Sequence, residues 1–219
     1  KSTVFRLLML MEQPDSGIVR FAGREAAKFT PRQRAAHRRQ IGMVFQDYRL
    51  LATESIEENV ALPLRVAGIR GADLRRRTRH RLDQVGLLER RRELVQGLSG
   101  GEKQLVSIAR ALVLNPAVFL ADEPTGNLDQ NAAFRVMEII REVHHEGCTV
   151  MVASHDLNLI RSFHARTLLI KDRQIFEVRL VGQGGSHAES PAGDHGNGPG
   201  RAAGKDQNKP GAPLTAGLS

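Results

Sequence analysis

The sequence predicts an α/β protein with a mostly parallel sheet and a helical insertion, and three observations carry that prediction. Short apolar runs, IGMVF at 41–45, AVFLA at 117–121 and TVMVAS at 149–154, are bounded by polar residues, as buried parallel strands are. Helical patterns fall between runs, and strands alternating with helices build such a sheet. The interval from Gln46 to Asn115 carries helical pattern alone, so it reads as an insertion in the sheet protein.

Each element has a local reason. Residues 2–11 are apolar on nearly every side, as in a helix buried against a sheet. PDSG at 14–17 is a turn, and IVRFAG after it reads as a short strand. Thr30 followed by Pro31 is an N-cap with proline at the first helical position, opening a basic helix that runs to Arg39. Further helices are expected over 56–66, 72–85, 101–114 and 131–145, and LLIKDRQIFEV at 168–178 reads as a hairpin turning at Asp172-Arg173. From Gly182 onward the chain holds ten of its 21 glycines and four of its nine prolines, with no apolar periodicity. Such a segment cannot bury a core, so 182–219 is expected to be a disordered tail. The ordered body is then 1–181, with sheet segments 1–46 and 115–181 around a helical subdomain at 47–114.

Composition removes several classes of function. No apolar stretch reaches the roughly 18 residues that a membrane helix requires. The single cysteine, Cys148, allows no internal disulfide and fits a reducing compartment. His144 and His145 lie near it, but solvated histidines beside a strand thiol outweigh a metal site there. Of the net charge of +8, the segment 70–93 supplies +5, from nine arginines against four acids. A charge run on a helix is a solvated face first, and so few aromatics offer no stacking platform, so no nucleic acid is expected as partner.

Three short segments carry chemistry. Lys1-Ser2-Thr3 before an apolar run is how a phosphate-binding loop ends and its helix begins. Asp122 and Glu123 stand at the carboxyl end of an apolar strand, where ligands bind parallel sheets. There one acid can hold magnesium and the other can polarise a water aimed at phosphorus. Ser99, Gly100 and Gly101 precede an amphipathic helix whose free N–H groups offer an anion site, although in isolation the three also read as an ordinary helix start capped by Ser99. Two anion sites in one domain point to a head-to-tail dimer in which both meet one nucleotide.

LSGGE, ADEPTGNLD and SHD, in that order, resemble the ATP-binding subunits of ABC transporters, whose core is a P-loop NTPase fold. KST matches the end of Walker A, Gln46 the Q-loop, VFLADE Walker B, Asp129 the D-loop and His155 the switch histidine. The resemblance covers essentially all of 1–181 and implies roles residue by residue. Lys1 would contact the β- and γ-phosphates of ATP, Ser2 would ligate Mg2+, and Thr3 would reach the α-phosphate. Gln46 would touch the metal and the attacking water, and Asp122 would orient the magnesium shell. Glu123 would be the general base, and His155 would hold the γ-phosphate. Ser99, Gly100 and Gly101 would close over the ATP of a second subunit, with Asp129 linking the two sites in a homodimer.

FQDYRLL, ENVALPL, RRRTRHRLDQVGLLER and SHDLNLI are similar to the FtsE-type cell-division subgroup. That similarity implies an integral membrane partner of FtsX type, a peripheral place on the cytoplasmic face of the bacterial inner membrane, and control of cell-wall hydrolases. Residues 48–51 and the helix after them would form the coupling surface. The alternatives are a lipoprotein-releasing or macrolide-export ATPase and, in another class, an ATP-gated scaffold with little turnover. Two departures stand out. Leu105 occupies a position where the family usually has Arg, and Lys103 one where Gln is frequent. Loss of that cation is expected to lower activity or alter dimer closure. The Walker A glycines, the first strand and the adenine-stacking aromatic precede Lys1 in the family. The chain as written is therefore expected to be inactive, although the resemblance implies that the full-length protein is an ATPase.

Overall fold

The computed structural model describes residues 1–163 and 165–178. Helix α1, Ser2–Leu8, buries Phe5 and stops short of the 2–11 expectation. The reason is Leu10, whose φ of 54° is left-handed and cannot continue a right-handed helix. Strands β1, Arg20–Phe21, and β2, Arg24–Glu25, form a small antiparallel hairpin. Its turn residues Ala22 and Gly23 both have positive φ, the twist that two-residue hairpin turns require. Helix α2, Pro31–Arg39, starts at Thr30 as expected, with a full capping box between Thr30 and Gln33.

Strand β3, Ile41–Val44, leads into the insertion. The helices there are α3, Ile56–Val66; α4, Gly71–Gln84; and α5, Gly100–Leu112. Strand β4, Val118–Asp122, helix α6, Gln130–His145, and strand β5, Thr149–Ala153, follow. A short helix absent from the sequence reading, α7, Leu157–Ser162, is capped by Asp156, whose carboxylate accepts from the Asn158 and Leu159 N–H groups. Strands β6, Thr167–Lys171, and β7, Gln174–Val178, pair antiparallel across left-handed Asp172 and Arg173, as the hairpin reading has it. The expected tail at 182–219 lies outside the described residues.

β3, β4 and β5 form one parallel sheet with β4 in the middle. The two faces of β4 bury different partners because strand side chains alternate. Phe119 and Ala121 enter a large core with Val44, Ile56, Val60, Leu64, Leu82, Ile108, Leu112, Val136 and Ile140. Leu120 points the other way, onto Phe5 of α1, Ile41 and Ala153. One continuous core thus joins the insertion helices to the sheet, through α5. Gly42 makes that contact possible: a Cβ there would stand 2.4 Å from the Ala111 carbonyl oxygen of α5. β5 is less enclosed than its apolar run suggests, because Thr149 and Met151 face outward. Among the described residues no helix is long and apolar enough to cross a membrane.

Candidate functional site

The register of the sheet collects residues that are far apart in sequence. Val44 is opposite Ala121, and Asp122 is opposite Ala153. Gln46, Asp122, Glu123 and His155 therefore emerge together at the carboxyl ends of β3, β4 and β5. α1, held on the sheet by Phe5, brings Lys1 and Ser2 to the same place. Ser2 Oγ donates to Asp122 Oδ2 at 2.7 Å, and Lys1 Nζ pairs with Glu123 Oε1. The other oxygen, Glu123 Oε2, lies 2.8 Å from His155 Nδ1 and accepts the His155 backbone N–H at 3.3 Å.

Glu123 is the least exposed of the three, with its side chain 10% exposed against 39% for Lys1 and 75% for His155. Its backbone is left-handed, at φ 51°, and its N–H donates to the Ala153 carbonyl, which fixes where the carboxylate points. Burial pushes its pKa up, but hydrogen bonds and charge from Lys1 and His155 outweigh that and hold it below the usual carboxylate value. Thr3 lies exposed in the first turn of α1, and Gln46 lies exposed two residues past β3. The Ser2 hydroxyl and the Asp122 carboxylate put two hard oxygens side by side, which is the donor type that magnesium takes.

A second cluster surrounds the start of α5. Ser99 caps the helix: its Oγ accepts the Glu102 N–H, and Glu102 accepts the Ser99 N–H at 2.8 Å. Glu102 is also paired with Arg90, which is bound to Glu93 as well. The Ser99 N–H and Arg90 keep the Glu102 pKa low despite partial burial. Gly101 sits where a side chain would be crowded, and Gly100 where one would be in ordinary contact. A Cβ on Gly100 would lie 3.4 Å from the Tyr48 hydroxyl, and one on Gly101 would lie 3.1 Å from Ala132. Asp129 caps α6 by accepting the Ala132 N–H at 2.9 Å, so Asp129 and Ser99–Gly101 belong to one neighbourhood. Among the described residues no hydrogen bond or ion pair links this cluster to Lys1, Asp122 or Glu123. The described residues thus form two separate clusters.

Sequence reasoning missed the side chains that hold these loops. Arg110 of α5 donates to the carbonyls of Tyr48 at 2.6 Å and Arg49 at 2.5 Å. Both of those residues are left-handed, with φ of 57° and 49°. Asn59, fully buried, binds the Leu51 N–H and the Leu51 and Ser55 carbonyls. The available signal was polar residues inside apolar helical stretches, at SIARAL and ENVAL. Leu105 is 7% exposed within the large core, so an apolar residue suits its surroundings.

A family model described as "ABC transporter" matches residues 1–126. The cell division ATP-binding protein FtsE of Escherichia coli K12 is 45% identical over 172 residues, covering 78% of each chain. FtsE of Bacillus subtilis is 37% identical over 187 residues, covering 85% of this chain and 82% of the relative. The methionine import ATP-binding protein MetN of Mesorhizobium japonicum is 40% identical over 178 residues, but these span only 49% of its own length. Among solved structures, the ATP-binding cassette MJ0796, a dimer in a post-hydrolysis state with ADP and Pi, superposes with a TM-score of 0.71. It is 33% identical and covers 82% of this chain and 81% of its own.

Proposed function

This chain belongs to the ABC transporter ATP-binding family, and from that premise we propose that it is the ATP-hydrolysing subunit of an FtsE–FtsX-type complex in bacterial cell division. The observation that carries the enzymatic reading is the convergence of Lys1, Ser2, Asp122, Glu123 and His155 at the carboxyl ends of the strands. The observation that favours the cell-division subgroup is the 45% identity to FtsE spread over most of both chains.

Lys1 binds the β- and γ-phosphates, Thr3 the α-phosphate, and His155 the γ-phosphate. Ser2 and Gln46, with Asp122 behind them, would hold Mg2+, which would supply positive charge to offset that of the phosphate oxygens. Glu123 takes a proton from water as its oxygen attacks the γ-phosphorus and the bond to ADP breaks. Lys1 and His155, which both contact Glu123, are the same side chains that this reading assigns to the phosphates.

Ser99, Gly100 and Gly101 act on the nucleotide of a second subunit, and Asp129 beside them links the two sites. The dimeric state of the MJ0796 cassette supports this reading. Residues 48–51 and α3 form the face toward an integral membrane partner, which places the subunit peripherally on the cytoplasmic side of the inner membrane.

Glu123→Gln in the full-length protein tests the proposal. Steady-state ATP hydrolysis is expected to fall by about 10²-fold or more, the scale of a lost general base. ATP is then expected to shift the variant to a dimer on gel filtration. Equal turnover by wild type and variant would overturn the enzymatic role of Glu123. Co-purification with a methionine-import membrane subunit, in place of an FtsX-type one, would overturn the cell-division reading and leave the ATPase intact.

A further inference from the structure

At the end of the sheet away from Glu123, a cleft of about 600 Å³ opens between α4, the carboxyl ends of α5 and α6, and the residues leading into β4 and β5. Its wall is basic. Arg76, Arg77, His80 and Arg81 line it from α4, opposite Asn115 and Glu146. The helix presents them as two pairs four residues apart, 76 with 80 and 77 with 81, so they share a face.

These cations are only partly neutralised. Arg76 and Arg77 share one carboxylate, Asp73, at 2.5 and 2.9 Å. Arg81 is 8% exposed, and its hydrogen bonds go to two neutral groups, Gln84 Oε1 at 2.5 Å and Asn115 Oδ1 at 2.7 Å. Among the described residues its ion-pair partner is Glu146, at 3.9 Å and itself largely exposed, with Glu142 lining a smaller cavity beside it. Three guanidinium groups thus pair with two carboxylates, before His80 is counted. The carboxyl ends of α5 and α6 add only partial negative charge. A buried guanidinium without a close carboxylate is costly, and an anion from solution relieves that cost. Burial accordingly depresses the Arg81 pKa.

We propose that this cleft binds a phosphate-bearing anion, with Arg81 at its base and Arg77 and His80 at its mouth. Guanidinium forks match phosphate oxygens in pairs, and the volume is that of a small-molecule site. A free phosphorylated compound and a phospholipid headgroup present the same chemistry. The cleft is separate from the nucleotide phosphates of the proposed ATPase site, because the length of β4 lies between them.

Cys148 lies on the cleft wall and is the only cysteine in the chain, so its alkylation rate reports occupancy of this site alone. The full chain is treated with iodoacetamide under two conditions: pyrophosphate against sodium chloride at equal ionic strength, and phosphatidylglycerol vesicles against phosphatidylcholine vesicles. Saturable slowing is expected, about tenfold at ten times the dissociation constant, as mass action dictates. Slowing by pyrophosphate identifies a free phosphate compound as the source, and slowing by phosphatidylglycerol alone identifies a headgroup. Arg81→Ala is expected to abolish the protection. Because that change also removes the Asn115 contact, His80→Glu on the exposed rim is the second variant, expected to abolish protection with an unaltered melting profile. No slowing by either probe, or protection that persists in His80→Glu, would sink the proposal.

Discussion

Glu123 is held between opposing influences, with burial raising its pKa and Lys1 and His155 lowering it more. The sign of the resulting pH dependence follows. A carboxyl whose folded pKa lies below its unfolded value stabilises the fold above the unfolded value, about 4.3 for Glu. That contribution is lost as pH falls through the folded value. Denaturant midpoints measured from neutral pH downward should show wild type more stable than Glu123→Gln at pH 7. The gap should narrow as pH drops below the usual carboxylate range. A gap that stayed constant over that window would mean that Lys1 and His155 do not bias the ionisation of Glu123. The residue types were legible in the sequence, as Asp-Glu after a strand and Lys-Ser before a helix. Their mutual contacts were not, because Lys1 and Glu123 are 122 positions apart and only the register of β4 and the seating of α1 join them.

Among the elements, α5 does the most to organise the site. Its amino end carries Ser99 and the two glycines, its middle enters the core, and its last turn holds the loop after Gln46 through Arg110. Burial depresses the Arg110 pKa, so the guanidinium depends on those two carbonyls. Replacing Arg110 with Ala leaves both carbonyls short of a donor and two left-handed residues without support. The expected cost is about 2–3 kcal/mol of stability, the scale of hydrogen bonds to a charged group. Arg110→Lys is expected to recover only part, since one ammonium cannot reproduce the planar fork. Chemical denaturation checks both values, and equal stability of the Ala variant and wild type would remove Arg110 from this role. Helix starts were legible in the sequence at Thr30 and Ser99, because capping chemistry is local. The early end of α1 at left-handed Leu10 was not, and neither was α7, whose six residues are too few to show a period.

For the molecule as a whole, one core runs from α3 and α4 through α5 to β4 and α6. The insertion is a topological unit without a separate core of its own. Phe119, fully buried at the centre of β4, belongs to that shared core. Phe119→Ala is expected to cost about 3–5 kcal/mol and to lower a single cooperative transition. A separate, unshifted transition for the insertion helices would contradict the shared core. The sequence by itself determined the alternation of strands and helices, the helix starts at Thr30 and Ser99, the hairpin at Asp172-Arg173 and the family, because each rests on local spacing or contiguous motifs. The motifs already grouped Lys1, Ser2, Asp122, Glu123 and His155 apart from Ser99–Gly101 and Asp129, but tertiary structure alone decided which side chains in each group touch. It also decided that Arg76, Arg77, His80 and Arg81, which read as a solvated charge run, line a cleft. The physical reason is common to all of these: parallel register and burial bring together groups from distant segments, and neither leaves a trace in local sequence.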